Sequence, residues 1–233
     1  MVCMLQFFKM HQEEAFTFRD LFRRDRLPSL ITAFALLGVA YTFEHYANVY
    51  AFIYTERSTT THVGDFILDG IPAIDLNFII IEVALFAIVI GTAYVISKPR
   101  YLVFTLKAIA LFIIIRAIFI SLTHVGIHPE NIAPGRGFFD AIYLYLHFQT
   151  GLFFSGHTGL PFLIALIFWK KPVVRNILLL LSLVFAAAVL LAHVHYSIDV
   201  FAAPFMAYGI YRIARYFFPK DHELIEKDTV FKE

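Results

Sequence analysis

The chain of 233 residues holds a single cysteine, Cys3, and only 16% of its residues are charged. One thiol excludes an intramolecular disulfide and a cysteine-based metal cluster. Scarce charge beside 60% hydrophobic residues and a mean hydropathy of +0.73 excludes an ordinary soluble domain, where roughly 45–50% apolar residues are usual. Internal repeats and low-complexity linkers are also lacking, so the chain reads as one domain. A net charge of +1 carries no footprint of nucleic-acid binding, and no nucleic-acid partner is expected. No cleavable signal sequence is expected either, because the first 28 residues are polar, contain Lys9, Arg19, Arg23, Arg24 and Arg26, and lack an apolar core before a small-residue cleavage site.

What the chain has in abundance is long apolar runs. Segments of about 20 apolar residues are the length that crosses a bilayer as helix. Six are legible: Ser29 to Tyr54, Leu76 to Ile96, Tyr101 to Thr123, Leu152 to Trp169, Asn176 to Ala192 and Ser197 to Phe218. The expected fold is all-α, a six-helix transmembrane bundle spanning residues 29–218. An interfacial amino-terminal arm (1–28) would precede it and a solvated cytoplasmic tail (219–233) follow it.

Lys and Arg accumulate on the cytoplasmic side of short loops. Of the 19 in this chain, 15 fall in the amino-terminal arm, around Lys98 and Arg100, around Lys170, Lys171 and Arg175, and in the carboxy-terminal end, all on one expected face. Arg57 and Arg136 fall on the other, and Lys107 and Arg116 lie within span three. Both termini are therefore expected in the cytoplasm, with loops 55–75 and 124–151 outside. The short tails and compact loops point to a bacterial plasma membrane.

Ser155-Gly156-His157-Thr158 opens span four, and His195-Tyr196-Ser197-Ile198-Asp199 opens span six. His157 stands 13 residues before Lys170, and Asp199 stands 13 before Arg212, so each lies roughly 20 Å above its basic anchor at about 1.5 Å per residue. Arg116 lies roughly 24 Å along span three from Arg100. Three spans thus carry His157, His195, Asp199 and Arg116 to one height. The spacing of His195 and Asp199 puts both on one helix face. A carboxylate there can hold one imidazole nitrogen as a donor and leave the other to attack phosphorus, while His157 can protonate the departing oxygen.

Arg116 has two readings. It can bind phosphate, because its planar donor fork matches phosphate oxygens, or it can form a buried ion pair with Glu82, which lies at similar depth in span two. Lys107, lower in span three, is expected to reach for the cytoplasmic interface. Glu44 and His45 of span one lie in the outer half, either facing the same cavity or pairing locally. His124, His128, His147 and His193 read as hydrogen-bonded bystanders. In the outer loop, Pro129, Pro134, Gly135 and Gly137 give turn character. Phe138 to Phe148 reads as an interfacial segment in which Arg136 and Asp140 either contact a head group or serve as anchors.

Ser155-Gly156-His157-Thr158 together with Leu191-Ala192-His193-Val194-His195-Tyr196-Ser197-Ile198-Asp199-Val200 closely resembles the two catalytic motifs of the sphingomyelin synthase-like branch of the type 2 phosphatidic acid phosphatase (PAP2) superfamily. Arg116-Ala117-Ile118 with Thr123 resembles that branch's third-span motif, and Ile71-Pro72-Ala73-Ile74-Asp75 is a looser match to its element before span two. The resemblance covers about residues 71 to 217. It implies an enzyme, a lipid phosphotransferase with His195 as nucleophile, Asp199 as its orienting partner and His157 as the acid for the leaving alcohol. Ser155, the Gly156 amide and Arg116 are expected to hold phosphate oxygens, with Glu82 and Tyr196 in the same substrate-binding set. Membrane lipids would serve as substrate and acceptor, and no metal or other cofactor is expected. The chain departs from the phosphatase pattern: eight residues separate Lys107 from Arg116, Ala117 follows the Arg, and Val189 stands where an Arg is usual. Fewer cations favour the synthase-like branch and leave two alternatives, a lipid phosphate phosphatase and a non-enzymatic lipid-binding or transport protein of the same fold.

Overall fold

The computed structural model describes residues 16–57, 62–132, 139 and 153–230. Among them every regular element is helical: α1 (Phe18–Leu21), α2 (Leu27–Arg57), a 3-10 turn (Leu68–Gly70), a π-helical segment (Ile79–Val83) continuing into α3 (Ala84–Ile96), α4 (Pro99–Leu122), α5 (Gly156–Ile167), α6 (Pro172–Leu191), α7 (Ser197–Phe217) and α8 (Pro219–Val230). Pro99 and Pro172 open α4 and α6 at their first positions, where the missing N–H breaks no helical bond.

Four helical stretches are long and apolar enough to cross a membrane: Leu27–Tyr54, Ile79–Ile96, Pro99–Leu122 and Pro172–Leu191. The chain is a multi-pass membrane protein. The expected fourth span is shorter than its apolar run, since α5 starts only at Gly156 and has 12 residues, or roughly 18 Å of helix. α7 has 21 residues and carries Asp199, Arg212 and Arg215.

The helices pack around α4. Half of its apolar window is buried inside the protein, against 17–22% for the other three. A helix apolar on all sides belongs at the centre of a bundle, and α2, α7, α5 and α8 all lean on it. The core runs through Phe104, Ala108 and Phe112 of α4, Leu163 and Ile167 of α5, and Ala203, Ala207 and Ile210 of α7. Gly159 of α5 makes that packing possible, because a Cβ there would stand 3.0 Å from the Phe112 ring and 3.5 Å from the Ala203 Cβ. Ser182 of α6 ties the same turn by donating to the Thr158 carbonyl at 2.7 Å.

The carboxy-terminal end corrects the sequence expectation. Rather than a solvated tail from Asp221, α8 folds back onto α4 and buries Asp221, His222 and Ile225. α7 ends at Phe217, two residues before Pro219, where the chain turns, and the buried carboxylate of Asp221 meets Lys107 Nζ at 2.7 Å. Lys107 donates also to Ser29 Oγ at 2.6 Å, and Ser29 in turn donates to Asp221 at 2.8 Å. Lys107, expected to reach for the cytoplasmic interface, is closed into this three-residue cluster, because α8 brings it a charge of opposite sign.

Candidate active site

The two motifs open two neighbouring helices at the same end of the bundle. Ser155 caps α5, its Oγ accepting from Thr158 N–H and Thr158 Oγ1. Its own N–H donates to the Asp199 carbonyl at 3.1 Å, so the start of α5 is stitched by backbone to the first turn of α7.

α7 begins with two carboxylates. Asp199 Oδ2 accepts from Tyr196 N–H at 3.1 Å, and Asp65 Oδ2, from the loop before α3, accepts from Ser197 N–H at 2.6 Å. Negative charge is favoured there by the unpaired N–H groups and the helix dipole. Burial alone would push the Asp65 carboxyl up, but donation from the backbone of Ser197, Leu68 and Ile67 outweighs it and holds the group below the ordinary carboxylate range.

His195 is buried, with Nδ1 3.4 Å from Asp199 Oδ2. That contact places the proton on Nδ1 and directs Nε2 away from the carboxylate. Across from it, the His157 ring lies with its centroid 6.4 Å away and its plane inclined by 67°. His157 Nε2 is 3.2 Å from the Ile80 carbonyl. Ile80 sits in the π-helical segment, a local widening that releases backbone carbonyls from the helical ladder and recurs at functional sites. Because a carbonyl only accepts, the contact needs the proton on Nε2 and leaves the acid-base exchange to Nδ1. Pro161, four residues on in α5, removes the N–H that would bond the His157 carbonyl.

Arg116 reaches this layer from α4. Its Nε donates to the Phe154 carbonyl at 3.0 Å and its Nη1 to Glu44 Oε1 at 2.7 Å. A Cβ on Gly156 would lie 3.7 Å from the same Nε, so the guanidinium passes over the first residue of α5. The helix N-terminus with its free N–H groups is a ready anion site, and Arg116 adds a full positive charge beside it.

Ser155, Gly156, His157, His195, Asp199 and Arg116 therefore come together. Two other expected residues do not join them in the way foreseen. Arg116 takes Glu44, not Glu82, as its carboxylate partner. The reason is lateral position: α2 packs along α4, whereas the π-helical segment holding Glu82 faces α6. The Tyr196 hydroxyl donates to the Gly126 carbonyl at 2.8 Å and accepts from Val63 N–H at 3.3 Å. It fastens the loops that hold Val63 and Gly126 to the start of α7.

His193 and His128, both expected to be hydrogen-bonded, form a pair. His193 takes a left-handed backbone (φ 54°), in which histidine is more common than most residues, and reverses the chain between α6 and α7. Its Nδ1 lies 3.2 Å from that of His128. Glu130 and Asp69 stand 3.7–3.8 Å from the two rings. His124 stacks on Tyr54 at 4.0 Å. Arg136, Asp140 and His147 lie outside the described residues. Among those described, no cluster of His, Cys, Asp and Glu has the geometry of a metal site. Two cavities, of about 240 and 250 Å3, lie at the opposite, basic end of the bundle rather than beside the histidines.

Sequence reasoning missed Asp65. Its signal was Asp65 and Asp69 four residues apart around a tight turn ending at Gly70, a local pattern of side-chain-to-backbone bonding.

Residues 150–216 match the family model described as PAP2 superfamily C-terminal. The match supports membership of the PAP2 superfamily. It runs from just before α5 through nearly all of α7, so it contains both histidine motifs and Asp199. PAP2 proteins are phosphatases or phosphotransferases, which makes a lipid phosphatase or phosphotransferase type of function the general expectation for this chain. No curated protein and no solved structure matches the chain.

Proposed function

We propose that the protein is a lipid phosphotransferase that works through a phosphohistidine at His195. The observation that carries this reading is the His195–Asp199 pair facing His157 across 6.4 Å, with Arg116 over the start of α5. His195 Nε2 attacks the phosphorus of a lipid phosphate ester while Asp199 steadies the imidazolium that develops. The bond from phosphorus to the leaving oxygen breaks, its electron pair stays on that oxygen, and protonated His157 supplies the proton. In the second half, His157 takes a proton from the acceptor hydroxyl, the acceptor oxygen bonds phosphorus, and the P–N bond breaks to restore His195. Arg116 and the amides opening α5 hold the non-bridging oxygens, where charge must be stabilised without reorganisation.

Transfer between lipids, as in the sphingomyelin synthase-like branch, is favoured over hydrolysis by the supply of positive charge. Among the described residues Arg116 is the one cation at the height of the histidines, and Glu44 already offsets part of its charge. Such a pocket suits the single negative charge of a phosphodiester better than the two of a monoester. The same reading has six spans, with the short α5 and the polar-ended α7 completing the bundle. Both termini would lie in the cytoplasm and the site on the outer side of a bacterial plasma membrane.

The test is turnover of a panel of labelled phospholipids by purified protein, with His195→Ala alongside and the phosphorus-containing product identified. A new lipid formed only by the intact protein is the expected result. Free phosphate would assign the protein to the hydrolytic branch. Equal lipid binding by both proteins without turnover would make it a non-enzymatic lipid binder.

A further inference from the structure

The two cavities at the basic end of the bundle adjoin, sharing Phe16 and Arg100 in their walls. Five basic residues line them, from three separate parts of the chain: Arg23 and Arg26 before α2, Lys98 and Arg100 at the α3–α4 turn, and Lys227 of α8. The two acids in the walls are already engaged, Asp20 by Arg23 at 2.8 Å and Asp228 by Lys171. Among the described residues, Arg26 meets a carboxylate only in a loose, solvent-exposed contact with Asp25 at 3.9 Å. Arg26 and Arg100 both lie over the Phe16 ring, at 5.1 and 5.9 Å from its centroid. Two guanidinium groups converge on one ring, with Lys98 and Lys227 near them, and among the described residues both acids in the walls are already paired, so the concavity is positively charged.

A general preference for positive charge on one membrane face requires only that Lys and Arg lie on that side. It does not require residues distant in sequence to meet around a hollow. The assembly is held in place from beneath, because the Lys107–Asp221–Ser29 cluster pins α8 against α4 and α2.

We propose that this pair of cavities binds the phosphate-bearing head group of an anionic lipid at the basic membrane face. Guanidinium forks suit phosphate oxygens. The position favours a lipid over a soluble phosphoanion: Lys98 and Pro99 mark the point where two membrane-crossing helices, α3 and α4, leave the apolar layer. Basic pockets at such places attract anionic head groups. The site lies at the opposite end from the histidines and is independent of the proposed chemistry there.

The experiment measures binding of fluorescent phosphatidylglycerol and phosphatidylcholine to the full-length protein in zwitterionic detergent, over a salt series. The expected result is a preference of about fivefold or more for phosphatidylglycerol that weakens with salt and disappears in Arg26→Gln/Arg100→Gln. Glycerol phosphate is the soluble competitor and is expected to displace the lipid only at millimolar levels. Lys98→Gln/Lys227→Gln, which alters exposed side chains, gives the same comparison should the arginine pair be needed for folding. Equal affinity for the two lipids, or an unchanged preference in the folded variants, would overturn the proposal. Displacement by micromolar glycerol phosphate would do so too, by assigning the cavities to a free phosphoanion.

Discussion

Lys107 and Arg116 both project from α4, nine positions apart, and they meet different surroundings. Lys107 is closed in by Asp221 and Ser29, which also bond each other, and its side chain is 6% exposed. Arg116 is held by Glu44 and by the Phe154 carbonyl, over Gly156 and level with the two histidines, and is 15% exposed. A mutually satisfied cluster fastens elements together and has nothing left to offer a ligand. A cation oriented at the lip of a helix N-terminus is set up to meet an anion. The same helix thus carries a closed cluster at one end and, at the other, a cation beside the candidate site.

The largest expected effect is on the closed cluster. Lys107→Met leaves Asp221 buried without its charge partner, a loss of about 3–5 kcal/mol where such pairs have been broken. A marked fall in melting temperature, with turnover per folded molecule unchanged, is expected from thermal unfolding and activity assays on the same sample. The double variant Lys107→Met/Asp221→Leu should recover most of the loss, since an apolar pair of similar volume needs no compensation. Lower turnover in the folded fraction would erase the distinction between the two cations.

Arg116→Gln should show the reverse pattern. Removing one preorganised phosphate donor typically lowers turnover about 10²–10³-fold, and here the melting temperature should shift less than for Lys107→Met. Steady-state kinetics on the product-forming lipid would show it. Retention of full activity would make the Arg116–Glu44 pair a fastening like the Lys107 cluster.

A smaller effect is expected between the two ends, at Gly159→Ala. The new methyl would meet Phe112 at 3.0 Å, and that ring is itself fixed edge-on against Phe154 at 5.2 Å. Overpacking of this kind costs about 1–3 kcal/mol. Because Phe154 supplies the carbonyl that holds Arg116, activity should fall along with stability, whereas Gly209→Ala, where a Cβ meets nothing within 4 Å, should keep activity and not lower stability.

The smallest effect concerns pH. Asp65 ionises below the ordinary value of 3.8 in the folded protein. Its contribution to stability is therefore complete above that value and is lost as pH falls through the lowered one. Melting temperatures of the wild type and Asp65→Asn should differ by a constant amount from pH 6 to about pH 4 and converge only as the pH is taken on down to about 2. A difference that persists unchanged through the whole range would remove the charge of Asp65 from the account of how α7 begins.

Much of the candidate site was legible because its parts are local. Ser155 to Thr158 and His195 to Asp199 are short motifs at helix starts, and the i, i+4 spacing alone places His195 beside Asp199. Depth was legible too, since rise per residue is constant along a helix. What spacing along one helix did not decide was which particular side chains of neighbouring helices meet. Glu82 and Glu44 have similar claims on Arg116 by height, and only the packing of α2 along α4 decides between them. The residues from Asp221 onward look solvated by composition, yet Ile225 and the partner waiting at Lys107 draw α8 down. Tyr196 reads as a motif residue, whereas its hydroxyl joins two loops more than 60 residues apart in sequence.

The sequence by itself determined the membrane character, the helical class, the gathering of positive charge toward one end, and the two histidine motifs with their common height. These depend on composition and on spacing along one helix, quantities that local geometry converts directly into position. Tertiary structure decided which carboxylate faces Arg116, which carbonyl orients His157, where α8 goes, and that Phe16, Arg26 and Arg100 meet. Those are relations between helices whose rotation and lateral order are set by the packing of small residues such as Gly159 and Ala203 against Phe112, a property of the whole bundle.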